Sequence, residues 1–142
     1  MEDDFIRTRR VGFGDCDPAL IACTGKIADF ALESLDAVCE DVRDGEGWYL
    51  MNVDKGYGMP FVRMEYDFRS PIRPGPTMFC RVRPTAVGTT SVTMHVEGEQ
   101  DSRSCFTARC VSVFTRRADH SKMEIPAYIR GALNRRRPEL AA

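Results

Sequence analysis

The longest regular pattern in the chain begins at Ile27. Ile27, Ala31, Leu35, Val38 and Val42 recur at steps of four, four, three and four, which lines them along one face of an α-helix. Asp29, Glu33, Asp36 and Glu40 recur in the same way on the opposite face. The spacing predicts a helix of about 18 residues, or five turns. It should start near Thr24 or Gly25, with Thr24 as its N-cap, and end before Gly45 and Gly47. Ahead of it, Phe5 to Val11 alternate loosely and read as a first strand, which Gly12 and Gly14 break into a loop carrying Asp15, Asp17 and Pro18.

Residues 44–58 hold four glycines and read as a loop with one helical turn around Trp48 to Val53. The period then changes to two. Val62, Met64, Tyr66 and Phe68 alternate with Arg63, Glu65, Asp67 and Arg69 in a half-buried strand. Pro71 to Pro76 make a turn, and Met78, Cys80 and Val82 alternate with Phe79, Arg81 and Arg83 in the next strand, which Gly88 ends. Val92, Met94 and Val96 form a further inward set. A polar turn from Gly98 to Ser104 then leads to a last strand from Cys105 to Thr115. A short helix opens at Ile125 to Arg130 with proline near its first position, and Arg135 to Arg137 trail into solvent. The order is strand, long helix and four strands in series, an α+β pattern with an antiparallel sheet. The apolar face of the helix must pack on that sheet.

A length of 142 residues fits one domain spanning the chain, 1–142. With 20 Lys and Arg against 21 Asp and Glu, the net charge is -1, which argues against nucleic acid as a partner, since such binding draws on an excess of basic side chains. The start Met1-Glu2-Asp3-Asp4 is acidic where a leader would be basic, so a cytoplasmic protein is expected. No run of about 18 apolar residues occurs, so no membrane-spanning helix is expected. The six cysteines form no Cys-x-x-Cys pair and only His95 and His120 could join them; buried reduced thiols are the better reading than zinc. His95 lies between inward-pointing Met94 and Val96 and should face outward, while His120 falls in a charged turn. Neither suits a Ser-His-Asp or Cys-His arrangement. Asp15 and Asp17 could hold a divalent cation, but no further carboxylate stands nearby in sequence to complete an oxygen shell, so no metal is expected. No glycine-rich phosphate loop appears, and no cofactor is expected. Read alone, an aspartate in such a loop is a turn or cap residue.

A series of segments adds to this reading. Phe13-Gly14-Asp15-Cys16-Asp17-Pro18-Ala19 ahead of the long helix resembles the opening of the 4-hydroxybenzoyl-CoA thioesterase branch of the hotdog superfamily. Phe68-Arg69-Ser70-Pro71-Ile72-Arg73-Pro74-Gly75 is similar to the family's strand and turn, Val87-Gly88-Thr89-Thr90-Ser91 to its next hairpin, and Ile125-Pro126 with Ile129-Arg130 to its tail. The segments run in the family's order over nearly the whole chain. The resemblance implies a hotdog fold, a curved antiparallel sheet wrapped around one long helix.

It also implies an acyl-CoA thioesterase in which Asp17 is the catalytic carboxylate, with an aromatic or medium-sized acyl group favoured. Asp17 would attack the thioester carbonyl or serve as general base toward water. Backbone N–H groups of Thr24 and Gly25, at the helix start, would hold the oxyanion. Asp15 is assigned a structural turn role. Where the family continues with glycine and an aromatic-Tyr-Pro sequence, this chain has Leu20, Ile21, Ala22, Cys23, Thr24 and Gly25, so aromatic walls around the acyl group are missing. Members acting on aryl-CoA carry Lys or Arg in the hairpin occupied here by Gly88, Thr89 and Thr90. Thr89 and Thr90 are retained as substrate-binding candidates, and contacts to the phosphates fall to Arg116 or Arg117. Hotdog relatives place the cleft between subunits, so a homodimer or homotetramer is expected. The alternatives are a non-catalytic domain that binds an acyl thioester, or a thioesterase acting on acyl groups borne by a carrier protein.

Overall fold

The loose alternation at the start of the chain becomes β1 (Phe5–Arg10), and a 3-10 turn over Phe13–Asp15 follows at the glycines. The computed structural model describes residues 5–42, 45, 47 and 50–140, so Trp48 and the acidic Met1 to Asp4 lie outside the described residues. The helix α1 spans Thr24–Val42. A π-helical turn covers Leu50–Asp54, within the region read as a loop with one helical turn. Then come β2 (Tyr57–Gly58), β3 (Phe61–Phe68), β4 (Thr77–Val87), β5 (Ser91–Gln100), β6 (Arg103–Val113), β7 (Thr115–Arg116) and α2 (Ala127–Arg136). Five strands make one antiparallel sheet in the order β1-β4-β5-β6-β3, and β2 pairs with β7.

The predicted face of α1 is the one that packs. Ala31, Leu35, Val38 and Val42 are buried, with Phe30, Ser34 and Cys39 beside them. They meet the inward residues of the sheet: Met78, Cys80 and Val82 of β4, Val92, Met94 and Val96 of β5, and Phe106, Ala108 and Cys110 of β6. Each large apolar side chain so buried contributes about 1.5–3 kcal/mol. The sheet laid over one long helix is the expected hotdog arrangement.

Local departures from the sequence reading have physical causes. Thr24 is the first helical residue rather than the N-cap, because the carbonyl of Cys23 already accepts the N–H groups of Lys26 (3.0 Å) and Ile27 (3.3 Å). Gly98 does not start a turn. It lies inside β5, where a Cβ would stand 2.1 Å from a ring carbon of Phe106, so the glycine makes room for that buried ring. The turn is instead the two-residue Asp101-Ser102, both at positive φ (51° and 59°), as tight antiparallel connections require. Phe114 separates β6 from β7. Val62 and Phe68 are 62% and 57% exposed rather than half-buried, because β3 is an edge strand. Arg135 and Arg136 form the last turn of α2. Arg136 pairs with Asp41 and Arg137 donates to the carbonyl of Pro84 at 3.0 Å, so this end is tied down rather than trailing.

Two polar clamps fix the end of the sheet where β1 turns toward α1. Gln100 is fully buried; its carbonyl accepts Arg73 N–H (2.9 Å) and its amide donates to the carbonyls of Arg73 (2.8 Å) and Pro76 (3.1 Å). Next to it, Ala22 N–H donates to the carbonyl of Ile72 at 2.8 Å. The β3–β4 connection is thereby held against the loop that precedes α1. No helix of the described residues is long and apolar enough to cross a membrane.

Candidate active site

The loop between β1 and α1 folds back on itself. Cys16 and Ala22 form an antiparallel bridge, flanked by Asp17 N–H to the carbonyl of Ile21 and Cys23 N–H to the carbonyl of Asp15, both 3.0 Å. Asp15 sits at the base, nearly buried. Its carboxylate accepts Gly12 N–H at 2.9 Å and two guanidinium N–H groups of Arg9 at 3.1 and 3.4 Å. Arg9 also pairs with Glu33 of α1 at 2.8 Å and lies 4.3 Å over the Phe30 ring. Three elements are thus stitched by one guanidinium. The Gly12 N–H bond and the Arg9 charge hold the Asp15 carboxyl below the usual carboxylate range, so it stays ionised as part of the frame.

Asp17 occupies the outer part of the same loop and is half-buried. One carboxylate oxygen accepts Ala19 N–H at 2.8 Å, a local turn bond that fixes the side chain; among the described residues the other oxygen carries no hydrogen bond. Leu20 N–H donates to the carbonyl of Asp17 at 2.9 Å and closes the turn. Leu20 takes φ +64°, a conformation that costs a residue with a Cβ about 1–2 kcal/mol.

Across the bridge begins α1. The N–H groups of Thr24 and Gly25 precede the first intrahelical bonds, so they stand without helical partners at the positive end of a 19-residue helix. Both residues are exposed. A groove of about 380 Å³ opens beside them, lined by Ile21, Thr24 and Ile27 on one wall and Phe68, Arg69 and Ile72 on the other. The wall residues, and the parts of Arg9 and Gln100 as clamps, escaped the sequence reading. Apart from Arg9 and Asp15, which are six residues apart, their partners lie far apart in sequence, and no periodicity marks them.

The structure places Asp17 on the loop and Thr24 and Gly25 at the start of the helix that follows it; of the three, Thr24 lines the groove. It does not bring the other candidates there within the chain. Thr89 and Thr90 lie beyond Val87, at the opposite end of β4 from Thr77, which pairs with Arg10 next to the loop. Arg116 is tied locally, donating to Ser121 Oγ (3.2 Å) and the carbonyl of Lys122 (2.9 Å). Arg117 and His120 border a second cavity of about 470 Å³, with Leu35, Met51, Met59 and Phe61, near the start of β3. Among the described residues no cluster of three His, Cys, Asp or Glu side chains forms.

A crystal structure from Jannaschia sp. CCS1, described as thioesterase superfamily, superimposes with a TM-score of 0.87 at 39% identity, over 93% of this chain and 92% of that one. The chain belongs to the thioesterase superfamily. The model of that superfamily matches residues 43–107. A 1,4-dihydroxy-2-naphthoyl-CoA thioesterase from Synechocystis shares the fold at TM-score 0.82 and 16% identity, covering 92% and 95% of the two chains. A gentisyl-coenzyme A thioesterase does so at TM-score 0.79 and 19% identity, covering 91% and 99%. No curated protein matches the chain.

Proposed function

We propose that this thioester hydrolase acts on acyl-CoA, as one domain over 1–142, with Asp17 as its catalytic carboxylate and the amides of Thr24 and Gly25 as its oxyanion site. One observation carries the reading: a carboxylate with one oxygen anchored and one open shares a closed loop with helix-start amides that lack helical partners. A thioester carbonyl set between them gains a nucleophile, or a base for water, on one side and two donors for the developing negative charge on the other. The thiolate leaves without a strong acid. The groove beside Thr24 is mainly apolar, with Arg69 and Ser70 as its other polar members, and of moderate size, which supports an aromatic or medium-sized acyl group. The coenzyme A esters named for the Synechocystis enzyme and the gentisyl-coenzyme A thioesterase carry aromatic acyl groups of that size.

The proposal includes a second copy. β3 is an edge strand with Val62 and Phe68 largely exposed, and its free edge is a template for pairing. Antiparallel self-pairing centred on Met64 sets Arg63 against Glu65 of the other copy and keeps Val62, Met64 and Tyr66 on one shared face. It also lays the Phe61 end of one copy beside the Phe68 end of the other. Thr89, Thr90, Arg116 and Arg117, which lie toward the Phe61 end about 23 Å away along β3, then approach the loop of the other copy, where a phosphate contact is useful. The experiment is hydrolysis of an acyl-CoA panel by the wild type and Asp17→Asn. Loss of at least about 100-fold in kcat is expected, and equal rates would remove Asp17 from the chemistry. Running the same acyl group on coenzyme A and on a carrier protein decides the carrier.

A further inference from the structure

Leu20 stands on the loop between Asp17 and the helix start, and two of its properties do not follow from the fold. Its φ of +64° is the left-handed conformation in which a Cβ crowds the following carbonyl, so that glycine is the residue at ease there. Its side chain is 71% exposed, so core packing does not account for a leucine. The turn does not need one either. The bond from Leu20 N–H to the carbonyl of Asp17, 2.9 Å, is one that any residue except proline makes. The other non-glycine residues of positive φ among the described residues are Asp101, Ser102 and His120, all polar and all exposed. Leu20 alone combines strain with a long apolar side chain left in water. Strain held in a loop that also carries a reactive carboxylate points to a task for the side chain.

We infer that Leu20 is a specificity residue, an apolar contact for the acyl group of the thioester. The inference rests on the thioesterase reading above. Leu20 precedes Ile21, which lines the groove together with Ile27, Phe68 and Ile72, and it follows Asp17 by three positions. Leu20 and Asp17 stand just outside that lining, on the stretch of chain that leads from Ile21 back to the carboxylate. An acyl group leaving the reacting carbonyl passes along Leu20 before it reaches the groove, and an acetyl group is too short to gain from that contact.

The test compares acetyl-, butyryl-, hexanoyl- and benzoyl-CoA as substrates for the wild type, Leu20→Gly, Leu20→Asn and Leu20→Met, with a thermal melt and a sedimentation measurement on each protein. Glycine and asparagine accept the left-handed backbone without the apolar surface; methionine keeps the surface. Leu20→Gly and Leu20→Asn should melt no lower than the wild type. They should lose about tenfold in kcat/KM on hexanoyl- and benzoyl-CoA, chiefly through KM, and stay within about twofold on acetyl-CoA. Leu20→Met should recover most of the loss. A uniform change across the four esters, or no change, overturns the inference, as does a shift in association state with the acyl preference intact. A wild type that hydrolyses none of the four overturns the thioesterase reading and this inference with it.

Discussion

The amide of Thr24 offers a sharper test of the proposed site than its side chain. Thr24 is the first residue of α1 and its N–H makes no helical bond, so proline fits there with the helix undisturbed. Thr24→Pro deletes one oxyanion donor together with a side chain of the groove wall, and Thr24→Ala, which keeps the amide, separates the two. The kcat of Thr24→Pro should fall about 100- to 1,000-fold, while far-ultraviolet circular dichroism stays that of the wild type; full activity would move the oxyanion elsewhere. Asp15 makes a contrasting prediction about stability. Its folded carboxyl titrates below the ordinary range, so its bonds stabilise the fold above about pH 4, where the unfolded carboxyl is also ionised, and that contribution drains away as pH falls through the lowered folded value. Asp15→Asn should cost about 1–3 kcal/mol near pH 7, and urea melts of the two proteins should converge as the medium is acidified. A constant gap would show that the carboxylate charge is irrelevant there. Neither role was legible from position alone. Asp15 and Asp17 sit two residues apart in one glycine-bounded stretch, and the family resemblance separates them in the sequence only by motif. Space separates them by Arg9, six residues away, which no periodicity announces.

Among the elements, the helix and the central strands were readable because burial imposes their periods: 3.6 on a helix facing a sheet, two on strands with one covered face. The edge of the sheet was not. Val62, Met64, Tyr66 and Phe68 alternate as a central strand would, and only the strand order exposes the first and last of them. Gly98 misled for a related reason. A glycine between two alternating runs reads as punctuation, whereas here it is hollowed out for the Phe106 ring, whose nearest carbon would stand 2.1 Å from a Cβ. Gly98→Ala should therefore force the buried ring from its place and cost about 1–3 kcal/mol or more by overpacking. A thermal melt checks this, and an unshifted midpoint would mean that the strand yields locally. Gln100, two residues on, reads in sequence as one more polar turn residue. Only its three bonds to the β3–β4 connection make it a member of the core.

At the scale of the whole molecule, the candidates fall at two ends of β3. Asp17, Thr24 and Gly25 belong to one end, and Arg116, Arg117, Thr89 and Thr90 to the other. A single chain leaves the groove beside Thr24 without a cationic contact from the far set, and a two-fold pairing along the edge strand supplies it. Arg63 and Glu65 already pair within one chain, and Glu65→Arg turns both that pair and the one proposed across the edge into repulsion, so it should raise the dissociation constant of the dimer at low salt. Analytical ultracentrifugation with Arg63→Glu as the compensating change should return it toward the wild-type value. Monomers of the wild type at assay concentration with full activity would remove the second copy from the site. The sequence suggested a homodimer or homotetramer through the resemblance, but it could not say which edge of the sheet would pair, since β1 also lies at a border of the sheet.

The distribution of thiols carries a practical corollary. Cys39, Cys80, Cys105 and Cys110 are buried, whereas Cys16 and Cys23 are partly open to solvent. Burial raises the Cys110 thiol to about 11 and leaves it inert. Burial and the neighbouring Asp15 and Asp17 carboxylates also raise the Cys16 thiol, so of the two partly open cysteines Cys23, next to Thr24, is the one an oxidant meets first. A preparation aged without reductant will go quiet while its melting curve still looks fresh, and a dithiol added back to such a sample separates a tarnished loop from a damaged fold.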